Sequence, residues 1–233
     1  MSRMTPENDA PPSRSNRQFV AAALAVMAFA AAMAYLESAV VVYLRAALGL
    51  EPGVIFPLSE PVALGSFAGI ELGREAATLV MLAAVGWLAG RSAIERLAWT
   101  AVAFGTWDIL YYAWLWVFVG WPPALDTWDL LFLIPVPWAG PVWAPVAVSV
   151  ALVGFGLWAA LRVRRGGRVA VGPWQVLGGI AGGVLVVVSF TLQAGEIVAG
   201  GLPHDYAWIV FAAGMAVATA AAVSALLPGR SSP

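Results

Sequence analysis

Six apolar runs, each about as long as a bilayer-crossing helix, divide this chain of 233 residues. A helix rising 1.5 Å per residue needs roughly 20 apolar residues to cross a hydrocarbon core of about 30 Å. The runs extend from about Phe19 to Tyr43, Phe67 to Leu88, Ala93 to Gly120, Val142 to Leu161, Trp174 to Gly195 and Tyr206 to Leu227. Backbone in lipid has no water to bond, so such segments must close their own hydrogen bonds, as helices do. The expected fold is therefore all-α: a polytopic membrane protein with a six-helix transmembrane domain over residues 18–228. A polar, proline-containing segment, 1–17, reads as a disordered cytoplasmic tail, and 229–233 as a short C-terminal tail.

Composition agrees and narrows the chemistry. Charged residues are 11% of the chain, against about a quarter in soluble domains. The natural partner of such a chain is the lipid bilayer. A net charge of -1 gives no reason to expect nucleic acid. Cysteine is absent, which excludes disulfides, thiol catalysis, Fe-S clusters and covalent haem. The single histidine, His204, excludes a bis-His haem within one chain, and the absence of lysine excludes a lysine Schiff base or a P-loop lysine.

The arginines predict the topology. Arg3, Arg14 and Arg17 precede the first run, Arg91 and Arg96 separate the second from the third, Arg162, Arg164, Arg165 and Arg168 follow the fourth, and Arg230 follows the sixth. With six spans all of these fall on one side, and loops 120–141 and 196–205 on the other side carry none. Positive residues mark the cytoplasmic face, so both termini are expected there. Arg17, the apolar run and Ala32-Met33-Ala34 also have signal-peptide character. The run continues to Leu44, however, too long for that reading.

The segment 121–141 is too apolar for a free loop and too rich in proline to span. It predicts a short interfacial helix over Asp126–Leu133, capped by Asp126 or Thr127. Trp114, Trp116, Trp121, Trp128, Trp138 and Trp143 would form an aromatic belt around it. The segment could close over a site, as could loop 46–68 with Pro52, Pro57 and Pro61. Small residues four apart, Gly178/Gly182 on span five and Gly214/Ala218 on span six, mark close-packing faces. They offer contact surfaces to another helix of the chain, a second copy or a membrane-complex partner.

Ionisable side chains in hydrocarbon cost about 2.5–3.5 kcal/mol each at a helix centre, so each calls for a partner or a function. Glu37 and Glu75 fall at similar depths on spans one and two, and Glu71, Arg74 and Glu75 share one helix face. Arg45 lies two turns from Glu37, and Asp108 is deeper, on span three, one turn from Tyr111 and Tyr112. Arg45 and Arg74 are the two arginines off the cytoplasmic side, so pairing with these acids is expected, with Arg74 held by Glu71 or Glu75. The tyrosines can offer hydroxyls to Asp108. Ser189, Gln193 and Glu196 form a second polar stripe on span five. The surplus of acids calls for a proton, a metal ion or a cationic ligand. Metal ligation by Glu37, Glu75, Asp108 and His204 is chemically acceptable, but no ligand-spacing motif is present and the arginines oppose it.

Four stretches resemble a widespread family of bacterial six-span inner-membrane proteins with no assigned function. They are Tyr35-Leu-Glu-Ser-Ala-Val-Val-Val-Tyr-Leu-Arg45, Arg74-Glu-Ala-Ala-Thr78, Trp107-Asp-Ile-Leu-Tyr-Tyr112 and the segment from Leu125 to Trp138. The resemblance covers about residues 35–145 and implies a bacterial inner-membrane location without an activity. The residues themselves favour a periplasm-facing acid/arginine site for a small ion or solute, with proton-coupled transport as one use. The alternatives are a membrane-embedded enzyme using Glu and Asp as acid-base groups, and a non-catalytic subunit whose charges fix helix register. Topology is testable by reporter fusion. Fusions at Arg91, Arg165 and Arg230 should report cytoplasm, and fusions at Asp126 and Gly200 periplasm; a periplasmic signal at Arg165 would overturn the charge argument.

Overall fold

The computed structural model describes residues 14–47, 49, 68–198 and 205–227. Its elements are α1 (Arg14–Ala47), α2 (Ala68–Ala89), α3 (Ala93–Val119), β1 (Trp128–Phe132), β2 (Trp138–Pro141), α4 (Trp143–Arg164), α5 (Pro173–Thr191), α6 (Ala194–Val198) and α7 (Trp208–Leu226). Six helices are long and apolar enough to cross a membrane: α1 to α5 and α7. The helix α1 already begins at Arg14, inside the segment expected to be a disordered tail. The rest of that tail, nearly all of the candidate lid 46–68, His204 and the C-terminal tail lie outside the described residues.

The helix α3 is the hub, packing on α1, α2 and α4. It is also where burial is deepest, with Trp99, Val102, Ala103 and Leu115 enclosed. Its start follows from local chemistry. The Ser92 side chain accepts the Glu95 N–H at 3.2 Å, satisfying one of the free donors of a helix start. The Glu95 carboxylate reaches back, as the sequence pattern suggests, but to the N–H of Arg91 at 2.8 Å. At the other end, Gly120 adopts φ 69° and closes the helix with its N–H on the Trp116 carbonyl. Between α3 and α4 the backbones approach so closely that a Cβ on Gly105 would meet the Ser149 carbonyl oxygen at 2.5 Å. The same holds between α5 and α7, where a Cβ on Gly182 would meet the Ala218 nitrogen at 2.5 Å and one on Gly214 the Val186 nitrogen at 2.8 Å. The Gly178/Gly182 and Gly214/Ala218 stripes therefore meet each other within the chain.

The segment after α3 differs from the expected interfacial helix. It is an antiparallel hairpin pairing Trp128 with Pro141, Asp129 with Gly140, Leu130 with Ala139 and Phe132 with Trp138, with an irregularity between Leu130 and Phe132. The reason is physical. Eight residues are too few for a stable isolated helix, and Pro135 and Pro137 stop it from growing. Pairing with 138–141 satisfies the backbone of an apolar segment that must lie against the membrane or the bundle. Trp121 is buried against Tyr112, whereas Trp116 and Trp143 project outward, so the expected tryptophan belt is only partly surface. Beside the hairpin, Trp143 stacks on Trp208 at 4.0 Å, and Phe190, Tyr206 and Phe211 pack around them, joining α4, α5 and α7.

At the arginine-rich end, one ion pair ties four helices. Arg164 Nε donates to Glu95 Oε1 at 2.8 Å, Nη1 to the Gln18 carbonyl at 2.7 Å and Nη2 to the Ala89 carbonyl at 3.2 Å. The two side chains are only 6% and 2% exposed. Removing one member of a buried pair strands the other and typically costs about 3–5 kcal/mol. Arg164→Met and Glu95→Gln should each lower the unfolding free energy in detergent by about that amount. The double variant should lose less than the sum, and additive losses would show that the pair does not couple these helices.

Candidate functional site

The heptad-like spacing of polar residues on α1 and α2 places a charged seam near the hairpin end of the bundle. Glu37, Val41, Leu44 and Arg45 follow one face of α1, and Glu71, Arg74, Glu75 and Thr78 one face of α2. With Tyr111 and Tyr112 of α3 and residues 129–133 of the hairpin, they enclose a cavity of about 150 Å³. Thr78 lies just behind this wall.

Arg74 is the centre of the seam. Its Nη1 pairs with Glu37 Oε1, joining α1 to α2. Its Nη2 and Nε both reach Glu71 Oε2 at 2.9 Å, one turn away on the same helix. Glu37 is fixed on its other oxygen by the Thr78 hydroxyl at 3.1 Å. Charge-assisted bonds of this kind are the strong ones; Glu37, Glu71 and Thr78 are buried and Arg74 is half-buried. The expectation that Arg74 is held by Glu71 or Glu75 resolves in favour of Glu71, with Glu37 as the second partner. Glu75 does something else. Both of its oxygens accept the Leu133 N–H at 3.1 Å, pinning the hairpin onto α2.

Asp129 completes the wall and is not among the residues expected from the sequence. It is 1% exposed, accepts the Tyr112 hydroxyl at 2.9 Å and accepts the Leu130 N–H at 2.8 Å. Burial pushes its pKa up to about 6, while the Tyr112 and Leu130 hydrogen bonds and the Arg45 charge pull the other way. One signal could have revealed it: a lone carboxylate in the apolar run Trp128-Asp-Leu-Leu-Phe-Leu-Ile134, the same kind of anomaly that marked Glu37.

Of the predicted site residues, Glu37, Arg45, Glu71, Arg74, Glu75 and Tyr112 share the cavity. Asp108 does not line it. It is buried between α3 and α4, accepts the Ser149 hydroxyl at 2.8 Å and has no ion-pair partner among the described residues. The tyrosine expected to serve Asp108 is used by Asp129 instead, because the hairpin brings that carboxylate to the Tyr112 hydroxyl. Gln193 and Glu196 are elsewhere. The helix α5 stops at Thr191, so the expected stripe breaks there. Ser189 bonds the Tyr206 hydroxyl at 2.9 Å, Gln193 donates to the Asp205 carbonyl at 3.0 Å, and Glu196 is exposed. Of the candidate metal ligands, Glu37 and Glu75 line the cavity but are bonded to Arg74 and Thr78 and to the hairpin, Asp108 turns to Ser149, and His204 lies outside the described residues. Among the described residues no three potential ligands converge on a metal position.

The arrangement presents four carboxyl groups and two guanidinium groups to one small, partly apolar space. The structure also orders the acids by what their loss would do. Asp108→Asn keeps an acceptor for Ser149 and strands no charge, so unfolding stability should stay within about 1 kcal/mol of the parent. Glu37→Gln removes the interhelical charge from Arg74, which keeps Glu71, and should cost about 1.5–3 kcal/mol, the range of a hydrogen bond to a charged group. Thermal unfolding of both variants in detergent checks the ranking, and a larger loss for Asp108→Asn would reverse the assignment of charged and uncharged roles. No protein family, no curated protein and no solved structure matches the chain, so its site is defined by its own residues and their geometry.

Proposed function

We propose that this chain is a multi-pass protein of the bacterial inner membrane, with both termini cytoplasmic, whose hairpin-roofed pocket binds a small cationic solute or ion from the periplasmic side. One observation carries the reading: four carboxyl groups and two arginines line a cavity that the Arg74–Glu37 and Arg74–Glu71 pairs leave open. A subunit that used its charges only as glue would leave no such space. The volume of about 150 Å³ is that of an engineered cavity known to admit benzene, so the solute has about six non-hydrogen atoms. The excess of carboxyl groups over guanidinium groups selects positive charge. The arginine-placement rule supports the orientation, and the likeness over residues 35–145 supports the inner-membrane location.

Proton-coupled transport would need a polar path onward from the pocket. Toward the arginine-rich end, Val26, Ala30, Leu82, Trp99, Val102 and Ala160 form a closed apolar core, and the Glu95–Arg164 pair ties the helix ends beyond it. This packing favours a pocket that opens on one side, from which a solute is bound and released by the same route.

The test uses purified protein in nanodiscs, with methylammonium and guanidinium as probes and acetate as the anionic control. Both cations should raise the unfolding temperature at pH 7.5, and acetate should not. Asp129, with its pKa near 6, takes up a proton as pH falls, so the cation effect should shrink between pH 7 and 5 and the shrinkage should be smaller in Asp129→Asn. Stabilisation by acetate alone would make the arginines the receptor and refute the reading.

A further inference from the structure

A second cavity lies away from the charged pocket, between the four-helix unit and the α5/α7 pair. It is an apolar groove of about 270 Å³, walled by Ala101, Leu152 and Phe155 on one side and by Gly183, Met215 and Thr219 on the other. The two halves meet firmly at the hairpin end, through the Trp143–Trp208 stack and the Phe190, Tyr206 and Phe211 cluster. Farther along α4, small residues on the facing helices leave the space between them unfilled. A Cβ placed on Gly179 or Gly183 would meet nothing within 4 Å, so the floor of the groove is open space. An apolar space of this size holds no water, and in a membrane the available filler is an acyl chain.

The groove leads to positive charge. Phe155, in its wall, stacks on Trp158 at 6.4 Å between ring centroids. Trp158, with Arg162 and Arg165, lines the next cavity, of about 220 Å³, at the arginine-rich end of α4. From Val148 at the top of the groove to Arg162 is about 21 Å at the helical rise, enough for one lipid tail in a leaflet whose core is about 15 Å thick. Arg162 and Arg165 keep guanidinium groups partly exposed there, and arginine pairs well with phosphate. Basic recesses between membrane helices are the kind of site that holds anionic headgroups.

We propose that the crevice between α4 and the α5/α7 pair is a binding site for one anionic phospholipid. One acyl chain fills the groove beside Phe155 and Gly183, and the phosphate rests against Arg162 and Arg165. The lipid stands in for the protein–protein packing that is missing between the two halves, and it is independent of the solute pocket at the other end of the bundle.

Native mass spectrometry of protein released from nanodiscs of equimolar phosphatidylglycerol and phosphatidylcholine tests this. A single phosphatidylglycerol adduct should be retained in preference to phosphatidylcholine. In the double variant Arg162→Gln/Arg165→Gln that preference should fall roughly tenfold or more, because each arginine near an anionic headgroup contributes severalfold. Gly183→Leu, which fills the groove, should reduce the adduct of both lipids. Soluble glycerol phosphate should displace neither. Equal retention of the two lipids by the parent, an unchanged preference in the arginine variant, or displacement by glycerol phosphate would each overturn the proposal. If Gly183→Leu does not fold, the arginine variant, altered at partly exposed positions, decides the matter alone.

Discussion

An arginine in a low-dielectric interior must have a counter-charge within reach, and the architecture is organised around that requirement. Arg74 and Arg164 meet it at opposite ends of the same bundle. Each draws its partner from a different helix: Glu37 of α1 for Arg74, Glu95 of α3 for Arg164. The attraction is strong because little water screens it, and the same dryness makes an unpartnered member expensive. The two pairs therefore set the register of α1 to α4 more sharply than apolar packing alone, which in lipid provides little preference between one helix face and another.

The two pairs do different things with this shared physics. At the arginine-rich end, Arg164, paired with Glu95, is closed over by backbone carbonyls of Gln18 and Ala89 and the face of Trp99. At the hairpin end, Arg74 holds α1 and α2 together while Glu75 and Asp129 attach the hairpin, through the Leu133 N–H and the Tyr112 hydroxyl. Attachment by two hydrogen-bonded points leaves a gap between them, and that gap is the pocket. Polar contacts hold the roof in place without requiring the side chains beneath it to interdigitate.

Much of this was visible in the sequence, and the reasons are specific. Glu37, Glu71, Arg74 and Glu75 betray themselves because a charge inside an apolar run demands a partner, and helical spacing puts them on matching faces. Arg45 belongs to the cavity for the same reason. Asp129 does not stand out in the sequence because its segment reads as a surface helix, on which an aspartate is ordinary; in a hairpin folded over the bundle the same residue is buried. Depth alone groups Asp108 with the cluster. Depth does not specify azimuth, and its side chain turns to Ser149 on α4. Gln193 and Glu196 align with Ser189 only on an α5 that continues, and α5 ends first.

What the sequence determined by itself was the number of spans and the identity of the charges that need partners, since bilayer thickness and the price of exposed backbone act on each segment separately. It also determined that span five and span six carry small-residue faces. Tertiary structure decided the rest: that Arg74 chooses Glu37 over Glu75, that the glycine faces meet each other, and that an apolar crevice remains between the two halves. These outcomes depend on which helix neighbours which and on how each is rotated. Apolar residues all round a membrane helix leave that rotation open, until contacts between distant segments select it.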